Sequence, residues 1–262
     1  MPSLEPPASP TVEPGLAMPR HTRPVSRAAS HVRTAAVTSD LSARELGRPR
    51  MLVDQGEVRC CVSCALCGAL EILHPEWPAL SRMFHYYVTR FDLGGADGAG
   101  NLHLDRGIDE LKLHGVCRHE MHQVDSPYLA TAIAKRPSSK AVADGLLHRL
   151  LRKGFHFPVR PLVGASRSAD IRAAIRDGHP VVAGFQLPTG YPNGFLNAER
   201  EWERPADPSD TAHCVLVVGY SDLRRALHIF DSMNGARFDQ GTWWMKYTIA
   251  DRVLFDPVAL TT

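Results

Sequence analysis

Apolar residues recur at helical spacing in the first half of the chain and in short β-branched runs in the second. In CVSCALCGALEIL, residues 61–73, Leu66, Ala69, Leu70 and Leu73 fall at i, i+3, i+4 and i+7, which predicts a buried helix. PALSRMFHYYVTR, residues 78–90, continues as a second helical stretch. After a glycine-rich loop at 94–100, LDRGIDELKLHGV, residues 104–116, reads as a short helix stopped by Gly115. SADIRAAIRD, residues 168–177, predicts a capped helix ended by Gly178 and Pro180. The period then changes. VVAGF at 181–185, CVLVVGY at 214–220, LHIFD at 227–231 and TWWMKYT at 242–248 read as strands separated by turn-forming residues. Helices first and antiparallel-looking strands second predict an α+β class.

Composition adds a boundary and removes some partners. The chain has 262 residues and is 44% hydrophobic, enough for one large domain or two lobes. Residues 1–38 are dense in Pro, Ser, Ala and Arg and poor in aromatic and β-branched residues, so they are expected to be a disordered tail before a domain at 39–262. No acid lies between Gly15 and Val37, a composition shared by transit peptides, some bacterial secretion signals and address-free tails. A net charge of +2 gives no reason to expect nucleic acid or membrane lipid as the main partner. No apolar run approaches the roughly 18 residues of a membrane span, and no signal-peptide core is present, so a cytoplasmic location or export by a non-Sec route is expected.

Four of the six cysteines, Cys60, Cys61, Cys64 and Cys67, fall within eight positions. A stapling framework spreads its cysteines, so mostly reduced thiols are expected. Cys61-x2-Cys64-x2-Cys67 looks like part of a ferredoxin run, but Glu71 stands where the fourth cysteine belongs. Zinc needs a second ligand pair, and His74 has no CxxC or HxxxH to join. No metal site is therefore expected. Adjacent Cys60 and Cys61 are poorly placed to bridge, and Cys64 and Cys67 read as buried, inert thiols.

What remains is one nucleophile at a helix start, where backbone N–H groups and the helix dipole favour an anion. Cys61 sits at that turn. A thiolate needs a histidine to protonate the leaving group and a third group to orient the ring. His213 directly precedes CVLVVGY and Asp231 ends LHIFD, so two neighbouring strands can bring both side chains to one end of a sheet.

With these residues in view, the sequence from about Asp40 onward resembles the papain-like cysteine peptidases, in the compact form found in many bacteria. DQG, residues 54–56, is followed by Cys61 six positions after Gln55, and CALCGALE is similar to the helix after the nucleophile. SRMFHYYVTR and GIDELKLHGVCRHE resemble the following helix and the helix-glycine turn, and IRAAIRDGHPVVAGF a helix and the first barrel strand. HCVLVVGY resembles the segment bearing the catalytic His, and FDSMNG with Gly241 the segment bearing the orienting residue. The resemblance selects Cys61 over its neighbours as nucleophile. It implies Gln55 as the side-chain donor of the oxyanion hole beside the backbone N–H of Cys61. It implies a helical left lobe at about 50–120, an antiparallel β-barrel-like right lobe at about 121–262, and a cleft between them. A peptide or protein substrate would lie across that cleft, with no cofactor.

The departures bear on chemistry. Only the nucleophile of the local signature C-G-[SA]-C-[WY] survives in VRCCV: Arg59 replaces a glycine and narrows the site, and Cys60 replaces a small residue. Asp231 stands where the family usually has Asn, and Met233 where a tryptophan normally shields the contact. Two other readings stay open: a Cys-His-Asp acyltransferase of transglutaminase type, and an inactive papain-like binding module. Trp243 and Trp244 read as core and sheet-face residues, and Trp202, in the polar stretch NAEREWERPADPSD, as part of a solvated loop or the rim of the cleft.

Overall fold

Helix α1, Cys61–Leu73, has no polar face, and every side chain from Cys61 to Glu71 is buried. Such a helix has to be covered on all sides. In the computed structural model, which describes residues 42–91, 100–125, 128–148, 159–164, 166–203, 208–233 and 238–261, helices α2 (Arg82–Phe91) and α3 (Leu104–Leu113) pack on one side of α1 and a sheet packs on the other. Gly68 permits the close seat on the sheet, because a Cβ there would come within 3.0 Å of Pro49 and 3.1 Å of Leu216. His85 ties the three helices: Ser63 Oγ of α1 lies 2.8 Å from its Nδ1, and the Gly107 carbonyl of α3 lies 2.8 Å from its Nε2. Burial lowers the pKa of His85 to about 4, so the ring is neutral and structural.

The chain is α+β, with an open, antiparallel-rich sheet. Its strands are β1 (Ala43–Glu45), β2 (Val159–Pro161), β3 (Val181–Pro188), β4 (Glu201–Trp202), β5 (Pro208–Ser221), β6 (Ala226–Phe230), β7 (Thr242–Lys246) and β8 (Leu254–Leu260). They run in the order β2-β8-β3-β5-β6-β7-β4, with β1 on β5; all these pairings are antiparallel except β4 on β7. Helix α4 (Ser139–Gly145) packs on the helical side, while α5 (Arg167–Arg176) and α6 (Tyr247–Val253) pack on the sheet.

The helices read from the pattern are present at α1, α2, α3 and α5, and the four strands at β3, β5, β6 and β7. Four details differ. The cap of α5 is Ser166, whose Oγ accepts from Ala169 N, while Ser168 binds Asp251. TWWMKYT stops as a strand at Lys246, and Tyr247 opens α6. Strand β8 escapes the pattern because Asp256-Pro257 reads as a turn. The sheet absorbs it where the β3–β8 register shifts between Val182 and Gly184, with Asp256 at φ 46°. Trp202 is not in a solvated loop: it is 2% exposed, among Phe185, Phe195 and Trp243. The tail at 1–38 and glycines 94, 95 and 98 lie outside the described residues. No described helix is long and apolar enough to cross a membrane.

One ion pair is buried in the helical core. Glu71 accepts from both terminal nitrogens of Arg82, at 2.5 and 2.8 Å, and from the backbone N–H groups of Leu80 and Arg50, at 2.7 and 2.8 Å. A buried pair is tolerable only when its charges are saturated in this way, and removing one partner strands the other. Glu71→Ala is expected to cost about 3–5 kcal/mol of unfolding free energy in a urea titration, much more than an exposed acid such as Glu76→Ala.

Candidate active site

The DQG motif makes a turn that places Gln55. Asp54 Oδ1 accepts from Gly56 N at 2.9 Å, and Gly56 takes φ 53°, a left-handed conformation that glycine adopts without strain. Gln55 N donates to the Ser232 carbonyl at 2.8 Å, and Gln55 Oε1 accepts from Ser232 Oγ at 2.6 Å. With Oε1 held, the amide nitrogen supplies the donors of this side chain. Five residues further on, Cys60 is the N-cap of α1, and no side chain caps the first turn. The unsatisfied N–H groups of that turn, beginning at Cys61, are therefore left for an anion.

The sheet brings the other groups. His213 sits on β5 opposite Phe185 of β3, and Asp231 follows β6 one residue beyond Phe230, the partner of Leu216. His213 Nε2 lies 2.9 Å from Asp231 Oδ1. Three more donors close on the same carboxylate: Met233 N to Oδ1 at 2.9 Å, and Tyr191 Oη and Trp243 Nε1 to Oδ2 at 2.8 and 3.0 Å. The Tyr191 ring also lies 5.5 Å from the His213 ring, centre to centre. Burial, then the Asp231 charge, push the Tyr191 hydroxyl well above its ordinary range, so it stays a donor.

His213 is completely buried, and burial alone would lower its pKa. The Asp231 charge, the Cys61 charge and the hydrogen bond to Asp231 outweigh it and raise the ring to about 10. Nδ1 has no hydrogen-bond partner among the described residues; besides Asp231, the Cys61 charge acts on the ring. The predicted residues Cys61, His213, Asp231 and Gln55 are thus brought together. The remaining cysteines differ. Burial raises Cys60, whose Sγ lies 3.7 Å from Cys64 Sγ. Burial opposes ionisation of Cys64 too, but the bond to Cys60, the Arg82 charge and the bond to Ser232 lower it. Burial raises Cys67 and Cys214. Among the described residues no group of three His, Cys, Asp or Glu could hold a metal ion.

The structure thus adds three residues whose roles the sequence does not signal: Tyr191 and Trp243 on Asp231, and Ser232 on Gln55. The shield that Met233 cannot provide is supplied by Tyr191, from the loop after β3.

Comparison with known proteins bears on both the fold and the site. A family model described as the Peptidase_C39 like family matches residues 141–250, the part that carries His213 and Asp231. Xylellain, a cysteine protease from Xylella fastidiosa, superposes with a TM-score of 0.72 at 22% identity, covering 89% of this chain and 91% of its own. The chain has the fold of the papain-like cysteine peptidases. The cysteine protease CMS1MS2 of Carica candamarcensis (TM-score 0.56, 16% identity, 84% of this chain and 98% of that one) is a further match. So is proCathepsin B S9 from Trypanosoma congolense (0.60, 13%, 95% and 86%). No curated protein sequence matches the chain. This papain-like fold carries an acid at position 231, and that difference is measurable. Because Asp231 raises His213, the imidazolium persists up to about pH 10 and activity that needs it declines as pH rises through that value. Asp231→Asn removes the charge but not the burial, so the alkaline limb of kcat/KM should move to lower pH by more than about one unit.

Proposed function

We propose that the protein is a cysteine peptidase that hydrolyses peptide bonds of peptide or protein substrates, with Cys61 as nucleophile. The observation that carries this reading is His213, fixed through Nε2 by Asp231, with its other nitrogen unpartnered among the described residues and the Cys61 charge acting on the ring from an uncapped helix start. Attack by the Cys61 thiolate on the substrate carbonyl forms a C–S bond and an oxyanion. The Gln55 side-chain amide and the Cys61 backbone N–H stabilise that oxyanion. His213 gives its Nδ1 proton to the departing amine, and the C–N bond breaks. Water, deprotonated by His213, then cleaves the thioester and restores the thiol.

Asp231 orients the ring and offsets the cost of charging it where water is excluded. Ser232 acts through Gln55: by occupying Oε1 it turns the amide nitrogen toward the oxyanion.

Three substitutions separate these roles. Cys61→Ala should abolish hydrolysis of a denatured protein substrate, whereas Cys64→Ser and Cys67→Ser should keep most of it. Because Cys64 is the cysteine whose pKa is lowered, loss of activity in Cys64→Ser with retention in Cys61→Ala would overturn the assignment. Gln55→Ala should lower kcat by about 10²–10³ with little change in KM. Ser232→Ala should fall between that variant and wild type.

A further inference from the structure

From Val58 to Leu70 every residue is buried except Arg59. It lies two positions before the proposed nucleophile, between Val58 and Cys60, both at most 1% exposed. Its backbone is held by its neighbours: Cys60 N bonds to Val58 O at 2.8 Å, and Val58 N to Gln55 O at 3.0 Å. The Arg59 side chain is half-buried, and its guanidinium extends from this base to Asn101.

Among the described residues the guanidinium has no charged partner. Its bond is to a neutral group, Nη1 to Asn101 Oδ1 at 3.4 Å, near the outer limit of a hydrogen bond. Among the described residues no carboxylate pairs with it. The acids of the adjoining turn are engaged elsewhere: Asp54 Oδ1 holds Gly56 N, and Glu57 Oε2 holds Ala130 N. Arg90 stands behind the same wall, bonded through Nη1 to Tyr86 Oη, whose hydroxyl in turn donates to the Gly100 carbonyl beside Asn101. Two guanidinium groups, those of Arg59 and Arg90, thus flank Gly100 and Asn101.

Resting on Cys61 as the nucleophile, we propose that Arg59 forms a subsite selecting substrates with an acidic side chain, Asp or Glu, within one residue of the attacked carbonyl. An extended peptide advances about 3.3 Å per residue, so a side chain anchored two residues from the nucleophile reaches the residues flanking the scissile bond. The planar fork of arginine matches a carboxylate with two parallel hydrogen bonds, and among the described residues only Nη1 has a bond, to Asn101. A lysine or arginine of the substrate at that place meets a like charge.

The test uses fluorogenic peptides identical except for Glu, Gln or Lys at each position flanking the scissile bond. For wild type, kcat/KM for the Glu peptide should exceed that for the Lys peptide by about tenfold or more, with Gln between. Arg59→Ala should flatten the ratio, Arg59→Lys should keep its sign, and Arg59→Glu should invert it. A ratio taken within one variant does not depend on the fraction folded. Binding of the same peptides to Cys61→Ala and to Cys61→Ala/Arg59→Glu, followed by fluorescence anisotropy, makes the comparison without any chemistry. A Glu preference in binding with no hydrolysis by wild type would sink the peptidase reading and keep the subsite. Equal Glu and Lys ratios in wild type and Arg59→Glu, in hydrolysis or in binding, would overturn the subsite.

Discussion

The burial of α1 is the constraint from which the rest of the structure follows. A helix apolar all round can be stable only where other elements surround it, and here two helices and a sheet do so. Gly68 sets how closely it approaches β5. Once that distance is fixed, the N-terminus of α1, with its uncapped N–H groups, is presented to His213, which lies within β5. The same packing explains why the DQG turn is tied to residue 232 rather than to its own helix: the segment entering α1 has to be fastened to the sheet side for the helix start to stay in place.

Placing His213 in this junction sets an electrostatic problem. A ring with no exposure loses the hydration of its charged form, and burial is the largest influence on its pKa, acting downward. A neutral amide would leave much of that loss uncompensated. An acid at 231 answers it, and four donors orient the acid, two of them from the side chains of Tyr191 and Trp243. Tyr191 has two effects at once, since the ring that covers His213 also carries the hydroxyl that binds Asp231. Cover and charge thus reach the ring together, through Tyr191 and Asp231.

How much of this is legible in the sequence depends on the range of each interaction. Helix α1 shows in its leucine spacing, although its burial extends all round, and β5 shows in its β-branched run. Strand β8 does not show, because Asp256 and Pro257 are locally a turn and only the register shift against β3 makes them part of a strand. Trp202 misleads for the opposite reason: its sequence neighbours are polar, and its burial comes from Phe185, Phe195 and Trp243. At the site, Cys61, His213, Asp231 and Gln55 are readable as chemistry at the ends of predicted elements. Tyr191 reaches Asp231 across 40 positions and Ser232 reaches Gln55 across 177, with no periodicity to mark either.

The cysteine cluster shows the same limit within a single helix. Four sulfurs crowded in sequence are distributed by helical geometry among different surroundings, since residues four apart are near neighbours on a helix and adjacent residues point apart. Cys64 stacks on Cys60 and takes a hydrogen bond from it, under the influence of Arg82; Cys67 lies deeper, against Arg82 and Glu71. The bond from Cys60 and the charge of Arg82 favour an anion at Cys64, but a stabilised thiolate is only half of a hydrolytic centre. The other half is an acid able to protonate a departing amine, and in the proposed mechanism that acid is His213, on whose ring the Cys61 charge acts.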